Sequence, residues 1–257
     1  MKRSLIFSLL FTVFITSQGF SQKNDISKNQ LLDRAIVIDG NFSEWNDSLR
    51  VYNPEANITY AVGNNDSTFY LAVKTADPQM IRKILTFGFS FSINKEGKKK
   101  PEITVTYPYI DRVAMPVAAK RPAGPPDFNK LNKLQLAKVK GVIVKGLKEL
   151  PDGNIALKNE YGIQATATID DKNIFRYELS VPLQYLNLEA SFDGTLAYNF
   201  KINGLERTVL ERSPRNRSYG YGGYGYGYGG YGYGDDVYRR KITDAIEFWE
   251  KYKLAGN

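Results

Sequence analysis

The sequence predicts an all-β protein, a single antiparallel β-sandwich with one or two short helices and a disordered loop of tyrosine and glycine. Three observations support this fold class. From Ile36 onward, apolar and polar residues alternate with the period of two that half-buried strands show. Clusters of Asn, Asp, Gly and Ser separate these runs at hairpin spacing. Helical patterns are few and short, so about ten strands must share one core, which two stacked antiparallel sheets provide.

The first 21 residues have the composition of a secretory signal peptide. MKR supplies a charged start, Leu5–Ile15 an apolar core, and small and polar residues follow up to Ser21. This core is too short for a helix that spans a bilayer, which takes about 20 residues. We therefore expect export to the periplasm, the cell surface or the medium, with no membrane span in the mature protein. Residues 22–34 are then a leader, and residues 35–257 form the sandwich domain.

Predicted strands follow the chain in hairpins. The clearest is TFGFSFSIN at residues 86–94, where phenylalanine and isoleucine alternate with small residues. NNDS and DDKN lie between further pairs of strand-like runs and have the composition of turns. The other predicted strands are ITYAVG (58–63), TFYLAVKT (68–75), PEITVTYP (101–108), KVKGVIVKGL (138–147), YGIQATATI (161–169), IFRYELSVP (174–182), TLAYNFKINGL (195–205) and AIEFWEKYKLA (245–255).

Two short helices are predicted from their start signals. DPQMIRKIL offers Asp77 as the N-cap and a proline at the first helical position. DFNKLNKLQLA offers Asp127 as the N-cap, with Leu131 and Leu134 spaced for one face. Both segments lie between predicted strands, so we expect them to connect parts of the sandwich.

Composition excludes most catalytic chemistry. The chain has no histidine and no cysteine, which rules out disulfides, His-dependent nucleophilic catalysis, Cys or His zinc sites and His-ligated haem. The acidic pairs Asp170–Asp171 and Asp235–Asp236 lie in a turn-like and a loop-like segment. We therefore predict a protein that is not an enzyme and has no cofactor. Its net charge of +8 falls to +6 when Lys2 and Arg3 leave with the signal peptide.

Calcium is the one metal that the remaining carboxylates suggest. Asp39, Glu44, Asp47 and Asp66 lie near predicted turns. They lack the fixed alternating spacing of a calcium loop, and turn chemistry explains them better. We assign no metal site.

Four motifs carry a family resemblance. They are AIVIDGNFSEW (35–45), YAVGNNDSTFYLAVKTAD (60–77), RYELSVPLQYLNL (176–188) and FWEKYKLA (248–255). In this order they resemble the carbohydrate-binding module family 9-like, or DOMON-like, β-sandwich domains over nearly the whole mature chain. The resemblance points to an exported bacterial branch of unassigned role. It implies an immunoglobulin-like or jelly-roll-like sandwich and noncatalytic binding of carbohydrate.

The opening motif has a physical interpretation of its own. Asp39 and Gly40 make a turn, and Glu44 and Trp45 then place a large ring where it can cover the open end of a sandwich. We assign both Trp45 and Trp249 to the core. Family members that hold sugars sandwich the ring between tryptophans, and both tryptophans here lie in structural motifs. We therefore transfer no binding residue from the family.

The low-complexity loop at residues 213–238 is the favoured ligand contact. Its core, residues 219–234, contains only tyrosine and glycine, and doubled glycines move successive rings to opposite faces. Tyrosine rings can stack on sugars, and arginines can bind anionic groups. The candidate ligand-binding residues are Tyr221, Tyr224, Tyr226, Tyr228, Tyr231, Arg215 and Arg217.

Three functions follow in order of preference. The first is a noncatalytic exported module that recognises glycan or another envelope polymer through loops of the sandwich. The second is a structural or adhesive protein that self-associates through the tyrosine-glycine loop. The third is a hydrolase or a haem-binding redox domain; some DOMON-like domains hold haem through methionine and lysine, yet nothing fixes Met80 or Met115 beside a lysine. Nucleic acid is not an expected partner of an exported protein.

Overall fold

The computed structural model describes residues 31–32, 35–49, 51–109, 127–189, 191–204 and 244–255. Within these ranges the chain forms eleven strands, two α-helices and two 3₁₀ helices. The strands are β1 (Val51–Asn53), β2 (Ile58–Asn64), β3 (Thr68–Thr75), β4 (Phe89–Asn94), β5 (Ile103–Thr106), β6 (Gly141–Lys145), β7 (Gly153–Ala156), β8 (Gln164–Ile169), β9 (Phe175–Pro182), β10 (Thr195–Ile202) and β11 (Ile246–Lys253). The predicted signal peptide, most of the predicted leader and the predicted loop at 213–238 lie outside the described residues.

The strands form two antiparallel sheets. The five-stranded sheet has the order β1-β2-β3-β9-β8, and the six-stranded sheet has the order β11-β10-β4-β5-β6-β7. Their inner faces meet in one apolar core, where Tyr60 approaches Phe200 with ring centroids 4.8 Å apart and Phe69 stacks on Phe91 at 5.5 Å. These aromatic pairs join one sheet to the other. The predicted antiparallel β-sandwich is confirmed.

Side chains of the predicted turns organise two of the hairpins. Between β2 and β3, Asn65 Oδ1 accepts hydrogen bonds from the backbone N–H groups of Ser67 and Thr68, at 3.0 and 2.8 Å. Between β8 and β9, Asp170 Oδ1 accepts from the N–H groups of Lys172 and Ile174, both at 2.9 Å. Each short polar side chain replaces the backbone partners that a turn leaves unpaired.

Both helices begin where their caps predict. Helix α1 (Pro78–Phe87) starts after Asp77, whose carboxylate accepts from the N–H of Gln79 at 2.7 Å. Helix α2 (Phe128–Leu136) starts after Asp127, which accepts from the N–H of Lys130 at 3.0 Å. These bonds satisfy backbone donors that the first helical turn leaves without partners.

The boundary between α1 and β4 differs from the prediction. Residues 86 and 87, predicted as strand, belong to the helix, and β4 begins only at Phe89. Gly88 ends the helix with φ of 88°, and its N–H donates to the carbonyl of Ile84 at 2.8 Å. The alternation of apolar residues continues through the end of the helix, so the pattern alone does not mark the change.

Four short elements were not predicted. They are β1, β7 and the 3₁₀ helices Phe42–Ser48 and Leu183–Leu186. Strands β1 and β7 lie at sheet edges and have three and four residues, most of them exposed. So few residues, without an apolar face, carry no periodic signal.

Candidate functional site

The N-terminal segment covers the outer face of the five-stranded sheet. The segment consists of the described residues 31–32 and 35–49. It forms a second apolar cluster, separate from the core between the sheets, whose buried members are Leu32, Ile36, Trp45, Ala61, Tyr70 and Ala72. Trp45 has 0% of its surface exposed. This face is therefore closed to a ligand.

One carboxylate holds the segment in place. Glu178 on β9 is fully buried, and its Oε1 accepts from Trp45 Nε1 at 2.7 Å. Its Oε2 accepts from the N–H groups of Gly40 at 2.6 Å and Asp39 at 3.1 Å. Burial raises the pKa of Glu178, and the hydrogen bonds from Gly40 and Trp45 oppose that rise. Two motifs whose bonded residues are 133 to 139 positions apart thus form one structural unit.

The opening motif differs from its prediction in one respect. Trp45 lies on the outer face of the five-stranded sheet, whereas we expected it at an open end of the sandwich. The turn before it needs glycine, because Gly40 has φ of 82° and a Cβ there would collide with the side chain of Thr168. Asp39 Oδ1 accepts from the N–H of Asn41 at 2.7 Å, and Glu44 accepts from Ser43 Oγ at 3.0 Å. Both carboxylates make local bonds.

Trp249 lies on the outer face of the six-stranded sheet and is partly exposed. Its neighbour Phe248 and the nearby Tyr252 pack in the core. Because successive side chains of a strand point to opposite faces, Trp249 points away from the core. The prediction that assigned it to the core is wrong. A run of aromatic residues concealed the alternation, and β11 is an edge strand.

Strand register places Trp249 at one end of a row of polar side chains. Trp249 is paired with Asn199 on β10, Asn199 with Ser92 on β4, Ser92 with Thr104 on β5, and Thr104 with Lys145 on β6. All five point outward, because the residue before each of them packs in the core. Neighbouring strands lie about 4.8 Å apart, so the row extends over about 19 Å. We call it the polar row.

The surrounding outer face has the same character. We define the polar face as the outward residues of β4, β5, β6, β10 and β11 around the polar row. Its members are Ser90, Ser92, Asn94, Thr104, Thr106, Ile143, Lys145, Thr195, Ala197, Asn199, Lys201, Glu247, Trp249, Lys251 and Lys253. Hydroxyl groups pair across the strands, with Ser90 Oγ 2.7 Å from Thr106 Oγ1 and Ser92 Oγ 2.9 Å from Thr104 Oγ1.

The middle of the polar face is buried. Ala197, Asn199 and Ser92 on the two central strands are only 1–3% exposed, and Asn199 Nδ2 donates to the carbonyl of Phe248 at 3.0 Å. Longer side chains on the flanking strands remain partly or fully exposed, among them Trp249 and Lys145. An aromatic ring at one side and ammonium and hydroxyl groups on the other strands are the groups that an extended polar ligand could contact.

The sequence-predicted ligand residues lie outside the described part of the chain. These are Tyr221, Tyr224, Tyr226, Tyr228, Tyr231, Arg215 and Arg217. The flanking residues that are described, Gly204 and Asp244, follow β10 and precede β11. Sequence reasoning missed the polar row, although serine and threonine at alternate positions of β4 and β5 were a signal for it.

Other candidate chemistry has little support in the described residues. No three His, Cys, Asp or Glu side chains are grouped there as a metal site requires. Met80 packs against the core, and Met115 lies outside the described ranges. An open hollow of about 640 Å³ lies beside the start of α1, where Asp77 is already bound to Asn57 Nδ2 at 2.7 Å. No helix in the described ranges is long and apolar enough to cross a membrane.

These features define a β-sandwich with one covered outer face and one polar outer face. No family model and no curated protein matches the chain. Among solved structures, the chain is similar to a carbohydrate-binding module of family 9 from Caldicellulosiruptor kristjanssonii, solved in complex with glucose. The match covers 70% of this chain and 79% of that chain, with 8% sequence identity and a TM-score of 0.36. That module belongs to the family that the sequence resembles. A TM-score of 0.36 does not support an inference about the ligand or the binding site of this chain.

Proposed function

We propose that this protein is a noncatalytic exported module that binds carbohydrate on its polar face. The observation that carries the proposal is the polar row, in which register aligns Trp249 with an amide, two hydroxyls and an ammonium group. A sugar ring has an apolar face and a rim of hydroxyl groups. Trp249 offers a flat apolar surface to the first, and the exposed Lys145 and partly exposed Thr104 of the polar row offer polar groups to the second.

The shape of the face favours a polymer over a small molecule. Small-molecule sites are concave pockets that enclose most of their ligand. The polar row crosses five strands, and its ends, Trp249 and Lys145, lie about 19 Å apart. We infer that several units of a glycan chain lie across the strands, with one sugar ring on Trp249.

Export is the part of the proposal that rests on sequence. The charged start and the apolar run Leu5–Ile15 support a signal peptide. A glycan outside the cytoplasm, in the envelope or the medium, is then the natural ligand. Fractionation of the producing cell, with the amino terminus of the recovered protein determined, tests this part directly. Recovery of the full-length chain from the cytoplasm alone would contradict it.

Substitution of Trp249→Ala tests the site. Binding of the purified protein to a glycan array and to insoluble polysaccharides should weaken about tenfold or more, because stacking on one aromatic ring contributes about 1–3 kcal/mol. Tyr52→Ala is the matched control, since Tyr52 is an exposed aromatic residue on β1, an edge strand of the other sheet. Equal binding by both variants would exclude the polar face, and no binding of any glycan by the wild type would exclude the function.

The tyrosine-glycine repeat is a separable second contact in this proposal. It connects β10 and β11, which carry Asn199 and Trp249. Deletion of residues 219–234 should lower glycan affinity further if the rings stack on the same polymer. If the deletion abolishes only concentration-dependent self-association, the repeat has the adhesive role instead.

A further inference from the structure

We propose that the polar face selects acidic polysaccharides, polymers whose sugars carry carboxylate groups. This inference rests on the proposed function and specifies its ligand class. The polar face carries four lysines and one glutamate: Lys145, Lys201, Lys251, Lys253 and Glu247. A glycan that lies across this face meets an excess of positive charge.

The charges that remain available lie at the two ends of the polar row. Lys201 and Glu247 partly neutralise each other, with Nζ 3.7 Å from the carboxylate. Lys145 on β6 and Lys251 on β11 are exposed, and neither has an ion pair among the described residues. Ammonium groups at both ends of the row produce a positive potential along it. That potential complements a polymer with regularly spaced carboxylates.

A basic turn extends the positive charge at one end of the face. The turn between β4 and β5 contains Lys95 and Lys98–Lys100, with only Glu96 and Glu102 to balance them. Those two acids pair with Lys98 and Lys95, and Lys99 lies near the carboxyl of Glu250, which leaves Lys100 in excess. Asn94 of the polar face donates from Nδ2 to the carbonyl of Lys100 at 3.0 Å. The turn therefore adds its charge at the end of the polar face where β4 ends.

The residue types distinguish this face from those that bind nucleic acids or membranes. Single-stranded nucleic acids are held by several aromatic platforms, often with arginine. Here the described members include one aromatic ring, no arginine, and a floor of hydroxyl and amide groups. A membrane surface would require exposed apolar side chains, whereas Ile143 is the one large aliphatic residue on the polar face and is partly buried. Sugar hydroxyls match the partly exposed Thr104 and Thr106, and carboxylates match the lysines.

Two forms of one polymer test the inference. Polygalacturonate and its fully methyl-esterified form have the same sugars and linkages and differ in charge. At about 50 mM salt, where a Debye length is near 14 Å, the wild type should bind the acid form about tenfold more tightly, and the preference should shrink as salt is raised. Affinity electrophoresis or calorimetry measures both polymers with the same protein sample.

Two double variants separate the lysines of the face from net charge. Lys145→Gln/Lys251→Gln should bind the acid form about five- to tenfold more weakly and the ester at most about twofold more weakly, because glutamine keeps a hydrogen-bonding group at both positions. Lys130→Gln/Lys172→Gln, exposed lysines of α2 and the β8–β9 turn, should behave as the wild type. Equal affinity for acid and ester, with no effect of the first variant, would overturn this inference and leave the proposed function intact.

The remaining outcomes are also decisive. If the protein binds neither polymer nor any neutral glycan, and Trp249→Ala changes nothing, the proposed function fails together with the inference. If a single-stranded oligonucleotide binds as tightly as polygalacturonate, with the same dependence on Lys145 and Lys251, the face is a general polyanion surface and the inference is wrong. Preference for the acid form that depends on these two lysines supports it.

Discussion

The two outer faces of the sandwich each carry one tryptophan, and the two have opposite surroundings. Trp45 is fully buried between the N-terminal segment and the five-stranded sheet, and its indole N–H donates to Glu178. Trp249 is partly exposed on the six-stranded sheet. The same residue type serves stability in one place and is available for recognition in the other. Burial and partners, more than residue type, decide which role an aromatic side chain has.

The chemistry of the outward positions explains the difference. On the five-stranded sheet, Ala61, Tyr70 and Ala72 form an apolar outer surface, which is stabilised when the N-terminal segment covers it. On the six-stranded sheet, the corresponding positions hold Ser, Thr, Asn and Lys, and the hydroxyl and amide groups bond to one another and to the backbone. An apolar face is stabilised by a cover of apolar side chains, whereas a polar face satisfies its groups through hydrogen bonds within the sheet.

The largest expected effect separates the two tryptophans by stability. Trp45→Ala should lower the free energy of unfolding by about 3–5 kcal/mol, because it creates a cavity and removes a donor from a buried carboxylate. Trp249→Ala should cost less than about 1 kcal/mol, since the ring lies at a partly exposed edge. Urea unfolding followed by circular dichroism measures both. Similar losses for the two variants would contradict the comparison.

A smaller effect concerns the anchor of the covered face. Glu178→Gln keeps the shape of the side chain but turns an amide N–H₂ toward the N–H groups of Gly40 and Asp39 when its oxygen still accepts from Trp45. Buried donors left without an acceptor cost about 1–3 kcal/mol. Urea unfolding at pH 7 should show that loss, and Glu189→Gln, on an exposed loop, should show none.

The same variant should also change the pH dependence of stability. Burial raises the pKa of Glu178 above its usual 4.5, so the folded protein binds this proton more tightly than the unfolded chain. Stability from this group is therefore lost as pH rises through the folded-state pKa and regained as pH falls toward 4.5. Glutamine cannot titrate, so the difference in free energy of unfolding between the wild type and Glu178→Gln should increase on acidification. If that difference decreases instead, the hydrogen bonds to Glu178 lower its pKa by more than burial raises it.

The smallest expected effect lies on the polar face. Thr104→Val removes one hydroxyl of the Ser92–Thr104 pair, whose oxygens are 2.9 Å apart. Because Thr104 is partly exposed, the loss of stability should stay near 0.5–1 kcal/mol. Glycan affinity should fall in the same variant, as the polar row loses a member. Unchanged affinity, measured beside Thr168→Val on the other sheet, would exclude Thr104 from the site.

Local features of the fold were predictable because neighbouring residues encode them. Asp77 and Asp127 cap the two helices as expected, and the turns at Asn65 and Asp170 form where their side chains can accept backbone N–H groups. Strand alternation correctly assigned the inner face of β4, where Phe89, Phe91 and Ile93 lie in the core. The predicted end of α1 was wrong, because the alternation of apolar residues continues across Gly88.

The candidate site was not predictable in this way. The polar row joins residues from Ser92 to Trp249, which no local pattern connects. It depends on the order β11-β10-β4-β5-β6 and on the register of four strand pairs. A shift of one residue in any pair would turn that strand's polar side chains toward the core. The core itself therefore selects the register that aligns them.

By itself, the sequence determined the class of fold, the positions of the hairpins and caps, and the absence of histidine and cysteine chemistry, because each depends on composition or on residues close along the chain. Only the tertiary structure decided that Glu178 joins two distant motifs and that one tryptophan is covered while the other is partly exposed. Those outcomes depend on contacts between segments more than 100 residues apart, as in the 133-residue separation of Trp45 and Glu178. The energies that select such contacts arise only when the whole apolar core is buried.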